Sequence, residues 1–270
     1  MVMKLTIVYE NHAGFKKGLL GAHGFSALVE HGEKRVLVDT GTDGSVLLHN
    51  MEELGIEPSS IDFLFITHGH YDHTGGMKAL LEARTKPLKV IGHPEIFRKR
   101  IALKPRKRDI GIPFSREELE ELGAEFVLRK EPFEFAPGFW SSGEILRRAW
   151  DRAVGYVEKD GRLTKDPVPD DIALIVDLGN EVAVITGCGH SGMLNIAWHA
   201  EDVSGKPVKA LIGGLHLIGA KKEVLDEVAE RIDAEKLYAG HCTGIDSYAY
   251  LKAILGGRIE PLHVGKVIEL

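Results

Sequence analysis

The feature that most restricts this chain is the run His68-Gly69-His70-Tyr71-Asp72-His73, which directly follows the largely apolar stretch 61–67. A short apolar stretch of that kind fits a strand buried on both faces. Three imidazoles and a carboxylate therefore leave the end of a buried strand on one short loop. Left without partners there, so many polar groups would be costly, and a metal ion is the partner that satisfies them together. A catalytic zinc takes three protein ligands and keeps a position for water, so four donors exceed one open site. Two divalent ions about 3.5–4 Å apart accommodate them, with His68 and His70 on one ion and Asp72 and His73 on the other. The remaining ligands must come from elsewhere in the chain.

A recurring unit of apolar strand, glycine turn and histidine supplies them. Residues 182–186 end in Gly187-Cys188-Gly189-His190, residues 210–212 in Gly213-Gly214-Leu215-His216, and residues 236–238 lead to Gly240-His241-Cys242-Thr243-Gly244. Strand-end loops on one edge of layered sheets converge in space, so His190 and His241 are the expected further ligands. His216 stands evenly between a catalytic and an ordinary role. For His12, His31, His49, His93, His199 and His263 a surface or hydrogen-bonded role is the better expectation.

Strands are expected over 4–10, 25–31, 35–39, 89–92 and 172–177, and helices over 45–54, 77–85 and 223–232. Gly32 sits in the tight connection of a hairpin between 25–31 and 35–39. Residues 94–137 differ in character. They open with a basic cluster, Arg98-Lys99-Arg100, Lys104 and Arg106-Lys107-Arg108, and reach Ser115-Arg116-Glu117-Glu118, a capping box that starts a helix to about 122. They read as an inserted basic and helical segment over the site, within one domain spanning 1–270.

Composition narrows the function classes. The chain has 270 residues, 34 Lys+Arg against 40 Asp+Glu, a net charge of −6 and 44% hydrophobic residues. That balance argues against a nucleic-acid binder, and no apolar stretch reaches the roughly 18–20 residues a bilayer span needs. The first ten residues alternate as a strand and lack the parts of a signal peptide, so a cytoplasmic protein is expected. The two cysteines, Cys188 and Cys242, each lie beside a histidine in a glycine-bearing turn, which points to site chemistry rather than a disulfide framework.

The segment Thr67-His68-Gly69-His70-Tyr71-Asp72-His73-Thr74-Gly75-Gly76 resembles the signature of the metallo-β-lactamase superfamily. The resemblance implies a four-layer αββα sandwich of the α/β class, with a two-metal site at one edge. Asp39, in Val36-Leu37-Val38-Asp39-Thr40-Gly41, matches the superfamily's early acidic residue, whose role is to orient a ligand histidine through its other ring nitrogen. His23-Gly24-Phe25-Ser26, Ser142-Gly143-Glu144-Ile145 and the three glycine-histidine turns are similar to a branch that includes an archaeal synthase of methanopterin biosynthesis. His23 joins Cys188 and Asp39 as a residue expected on or just behind the metals. Two departures stand out. Pro137-Gly138-Phe139-Trp140 has no histidine where most members carry a ligand, and Thr186-Gly187-Cys188 has a thiol where most have a bridging aspartate. Either Cys188 bridges as a thiolate, or it lies behind the ligands and His190 fills the place. The imidazole, neutral at pH 7, is the favoured choice.

The branch implies a metal-dependent transferase. It would condense a dihydropterin methyl diphosphate with a ribofuranosylaminobenzene phosphate and release pyrophosphate, with Asp72 and His216 as catalytic residues. A hydrolase of a phosphoester or acyl substrate is the alternative that the same metals allow. Either acts on a phosphorylated small molecule, and Arg147, Thr243 and Ser191 are the expected contacts to it. Two divalent metal ions are implied as cofactors, zinc first, with magnesium, manganese or iron as alternatives. Neither a membrane nor nucleic acid is expected as a partner, and nothing in the sequence speaks to oligomeric state.

Overall fold

Successive strands of the chain bury side chains on both faces, and this alternation builds a layered molecule. The computed structural model describes residues 2–270. In chain order the strands are β1 (Lys4–Tyr9), β2 (Ser26–His31), β3 (Lys34–Val38), β4 (Phe63–Phe65), β5 (Leu88–Gly92), β6 (Ile101–Ala102), β7 (Arg108–Asp109), β8 (Ala124–Leu128) and β9 (Phe133–Ala136). They continue as β10 (Phe139–Ser141), β11 (Tyr156–Lys159), β12 (Arg162–Lys165), β13 (Leu174–Asp177), β14 (Val182–Thr186), β15 (Val208–Gly214), β16 (Lys236–Gly240), β17 (Ile259–Pro261) and β18 (Val267–Glu269). The helices are α1 (Gly44–Glu53), α2 (Tyr71–Thr74), α3 (Met77–Glu82), α4 (Arg116–Glu121), α5 (Met193–Ser204), α6 (Lys222–Arg231) and α7 (Ile245–Leu255).

Two seven-stranded sheets form the centre, in the orders β18-β1-β2-β3-β4-β5-β8 and β17-β16-β15-β14-β13-β10-β9. Side chains on alternate positions face the space between them. Leu5, Ile7, Ala27, Val29, Val36, Val38 and Phe65 from the first sheet meet Leu174, Val176, Ala183, Ile185, Ala210 and Ile212 from the second. The intervening residues point outward under helices. Leu28, Leu37, Leu64 and Val90 pack with Leu47 and Met51 of α1, Met77 and Leu80 of α3, and Leu119 of α4. Ile175, Val184 and Leu211 pack with Met193 and Ile196 of α5, Leu225 and Val228 of α6, and Leu251 of α7. The result is the helix-sheet-sheet-helix sandwich, and its double coverage is why the strands read as near-continuous apolar runs. Among the described residues no helix is long and apolar enough to cross a membrane.

The parallel pairings position the site. β3, β4 and β5 are parallel neighbours in one sheet, and β14, β15 and β16 in the other. Their carboxyl ends therefore fall together, and the backbone N–H of Ile172 donates to the carbonyl of Thr67 across the two sheets at 2.9 Å. Every histidine turn singled out in the sequence follows one of these strand ends.

Residues 94–137 contribute strands to all three sheets of the molecule. β8 extends the first sheet beside β5, and β9 extends the second beside β10. Only β6 and β7 leave the sandwich, joining the hairpin β11–β12 in a four-stranded sheet. The apolar faces of β8 and β9 needed sheet partners distant in sequence, so local composition did not reveal them. The capping box at Ser115 and Glu118 does start α4.

Candidate metal centre

Residues 66–70 link β4 to the single turn of α2, so His68 and His70 leave the loop while Asp72 and His73 leave the helix. The ring centroid of His68 lies 4.7 Å from that of His70, 4.3 Å from His73 and 4.8 Å from His190. His70 lies 5.0 Å from His190, and His73 lies 5.0 Å from His241. All six expected ligands, His68, His70, Asp72, His73, His190 and His241, are thus brought together, and all are buried. Donor atoms of Asp72, His73, Cys188 and His241 lie within 4.8 Å of one another, as do those of His68, Cys188 and His190. Cys188 belongs to both groups. Its Sγ is 3.2 Å from His73 Nε2 and 3.3 Å from His241 Nε2. The thiol thus occupies the middle of the cluster, and His190 stands on the His68 side rather than in its place.

Hydrogen bonds set which nitrogen each ring presents. A carboxylate only accepts, so His73 Nδ1 and Thr67 Oγ1 both donate to Asp39 Oδ2, each at 2.7 Å, while Thr67 N donates to Oδ1 at 2.8 Å. With its proton committed to Asp39, the Thr67 hydroxyl accepts from His68 Nδ1 at 3.1 Å. On the opposite sheet His241 Nδ1 donates to Asn11 Oδ1 at 2.9 Å, and the backbone N–H of His241 donates to buried Glu10. His68, His73 and His241 consequently turn Nε2 toward the cluster. Asp39, His216 and His241 all hold positive φ, at 54°, 49° and 48°. Such backbone costs energy for non-glycine residues and is retained where surrounding contacts impose it.

Burial decides the charges. It pushes His68 and His190 well below the ordinary imidazole range, helped by neighbouring histidines, and takes His70 down to about 3. His73 differs: burial opposes its charge, but Asp72 and Asp39 outweigh it and raise it to about 9. Asp72, despite burial, is held well below the carboxylate range by His73, His23 and His241. Burial, with Cys242 beside it, pushes the Cys188 thiol up. Four imidazole groups then lack what their environment should supply. His68 Nε2, His70 Nε2, both nitrogens of His190 and His216 Nδ1 are buried without a hydrogen-bond partner among the described residues. Neutral rings with unpartnered nitrogens, a carboxylate and a thiol within one small volume fit a divalent metal ion.

The remaining expected residues divide. His23 is half-exposed at the mouth, with Nε2 3.3 Å from Asp72 Oδ2, and the His216 ring lies 4.2 Å from that of His190. The three expected substrate contacts already have partners within the protein. Arg147 is committed to Asp151 at 2.8 Å and to the Val168 carbonyl at 2.8 Å. Ser191 is buried, its backbone N–H donating to Asp171 at 2.7 Å, and Thr243 Oγ1 accepts from Leu215 N at 3.1 Å. These contacts brace the site loops. Within the basic cluster Arg100 is fully buried, paired with Asp166 at 2.7 Å and with Asp170, which also accepts from Gly69 N at 2.8 Å. A residue that reads as solvated charge thus fastens the histidine loop to the small sheet. Thr67, Asn11, Glu10 and Asp170 are the members sequence reasoning missed. The only signal for them was a polar residue at the end of an apolar strand.

Fold and site together are those of the metallo-β-lactamase superfamily: its sequence profile matches residues 21–202, and the chain belongs to that superfamily. Its members bind divalent metal. More particularly, the chain is 31% identical to the 7,8-dihydropterin-6-methyl-4-(beta-D-ribofuranosyl)-aminobenzene-5'-phosphate synthase of Methanocaldococcus jannaschii, over 99% of this chain and 96% of that protein. A second protein of that organism, uncharacterised, is 32% identical over 98% of this chain and all of its own length. Among solved structures, a metal-dependent hydrolase of the β-lactamase superfamily superposes with a TM-score of 0.84 at 26% identity, covering 99% of both chains.

Proposed function

We propose that this protein is a two-metal transferase that joins a dihydropterin methyl diphosphate to a ribofuranosylaminobenzene phosphate and releases pyrophosphate. The observation that carries the metal site is the set of unpartnered imidazole nitrogens around the Cys188 thiol. The full-length similarity to the archaeal synthase supports the substrate class. His68, His70 and His190 would hold one ion, Asp72, His73 and His241 the other, with the Cys188 sulfur between them. Imidazole with thiolate is a borderline-soft donor set that favours zinc, over manganese and iron and well over magnesium. When bound, such ions act as Lewis acids that stabilise charge developing on phosphate oxygens.

The chain's own residues do the rest. Asp39 and Thr67 hold the rings of His68 and His73 in the tautomers that present Nε2, and Asn11 does so for His241. In the condensation the arylamine nitrogen forms a bond to the methylene carbon as the carbon–oxygen bond to diphosphate breaks. The proton lost from nitrogen needs a base. His216, beside His190 and with Nδ1 unpartnered, would receive it.

The test is an assay of metal-reconstituted protein with the dihydropterin methyl diphosphate, with and without the arylamine phosphate. The expected result is pyrophosphate release that requires the second substrate, together with the condensed product. Cleavage by water in place of condensation would overturn the reading and make the protein a hydrolase.

A further inference from the structure

A condensation of two organic substrates needs a place for the second beside the metals, and one cavity outside the metal cluster has the matching chemistry. It has a volume of about 520 Å³ and lies between the segment Trp150–Ala153 with Lys165 on one side and residues 219–221 with Val224 on the other. That volume lies in the range of small-molecule sites.

Two contacts tie the cavity to the metal cluster. The backbone N–H of Arg152 donates to the carbonyl of His190 at 3.0 Å, and the Arg152 guanidinium donates to the carbonyl of Ile218, two residues past His216. Gly219 lines the cavity and is three residues from His216, so about 11 Å of chain at most separates them. Trp150 is held in the same way: its carbonyl faces Gly192 so closely that a Cβ there would sit 2.0 Å from it, and Asn195 donates to the carbonyl of the preceding Ala149.

The charge is one-sided. Arg152, Lys165 and Lys221 line the cavity, and none forms an ion pair among the described residues. The single carboxylate there, Asp151, is already neutralised by Arg147 at 2.8 Å. Three cations without an ion-pair partner, next to a half-buried indole, suit a dianion on a molecule that also carries a flat ring, through charge-assisted hydrogen bonds and aromatic contact. The opposing cavity around His31, Gly138 and Asp177 lies at the other ends of the strands and lacks this connection to the histidines.

We propose that this cavity is the subsite for the second substrate, a phosphomonoester of a sugar attached to an aromatic ring, with Lys165 and Lys221 binding the phosphate and Trp150 packing on the ring. The assignment of the phosphate to a substrate of condensation rests on the transferase reading above, whereas binding itself does not. The experiment is therefore a titration of the metal-loaded full chain with phenyl phosphate, followed by tryptophan fluorescence, in the wild type, the double variant K165E/K221E and W150F. Wild type should show saturable quenching, K165E/K221E should bind at least about tenfold more weakly, and W150F should lose most of the signal. In the condensation assay K165E/K221E should raise KM for the arylamine phosphate and leave KM for the dihydropterin diphosphate unchanged. Equal binding of phenyl phosphate by wild type and K165E/K221E, or no saturable binding at all, would overturn the subsite. A wild type that binds phenyl phosphate through the lysines but fails to condense would keep the subsite and remove the transferase reaction.

Discussion

Asp39→Asn tests how far one buried carboxylate governs both halves of the metal cluster. The change is nearly isosteric, yet the network it enters is directional. Asp39 accepts three hydrogen bonds, from Thr67 N, Thr67 Oγ1 and His73 Nδ1. An asparagine keeps one acceptor oxygen, which Thr67 N still uses, and turns an NH₂ toward the other two. His73 must then carry its proton on Nε2, the nitrogen that faces Cys188. The Thr67 hydroxyl must reverse and accept, so its proton turns to His68 Nδ1 and drives that ring's proton to Nε2 as well. One ligand in each half is placed in the wrong tautomer. Losing such an orienting partner costs about 10- to 100-fold in metal affinity, or roughly 1.4–2.7 kcal/mol for each ion. Thr67→Val, which removes only the hydroxyl, should weaken the His68 half and spare His73. The assay is competition with a chromophoric chelator, resolving both binding steps, with thermal unfolding in parallel to confirm the fold. Wild-type affinities in Asp39→Asn, or loss confined to one step, would refute the tautomer argument.

Other consequences follow from the same geometry. His70→Ala should lose the metal that His68, His70 and His190 would hold while unfolding normally in chelator, because His70 Nε2 has no hydrogen-bond partner among the described residues and the core is built elsewhere; collapse of the fold would make the metal structural. Cys188→Ser, examined with cobalt in place of the native ion, should abolish thiolate-to-metal charge-transfer absorption; its persistence would place Cys242 rather than Cys188 on the metal. Since His73 sits at about 9 without metal, it is protonated at pH 7 and must release that proton to ligate. Metal affinity should therefore rise with pH up to about 9, and proton release should be measurable on loading in weak buffer; a flat dependence refutes it. Arg100→Met should cost about 3–5 kcal/mol in denaturant unfolding, because Asp166 and Asp170 would remain buried without their cation; a loss under 1 kcal/mol would show that the pair is solvated.

Much of the site could be read from residues close in sequence. The run from His68 to His73 declares metal chemistry because four donors on one strand-end loop have no cheaper explanation. The strand-turn-histidine pattern located His190, His216 and His241 because parallel strands in one sheet must end at the same edge. Two helices, α5 and α7, escaped notice for a local reason. Met193, Leu194, Asn195, Ile196, Ala197, His199 and Ala200 of α5 are all buried, so no narrow apolar stripe marks its period, and α7 starts at Gly244 with no side-chain cap.

What the sequence determined by itself was therefore the class of chemistry and the edge of the fold where it lies. Tertiary structure alone decided which side chains are free to perform it. Arg100, Arg147, Ser191 and Thr243 have the right functional groups for a ligand, yet Asp166, Asp151, Asp171 and Leu215 already hydrogen-bond to them. Cys188 moved the other way, from a doubtful member to the residue common to three donor groups, the third of them with His216 and Cys242. The physical reason is one of competition: a side chain's chemistry belongs to its type, but its availability depends on which partners burial brings within hydrogen-bonding reach.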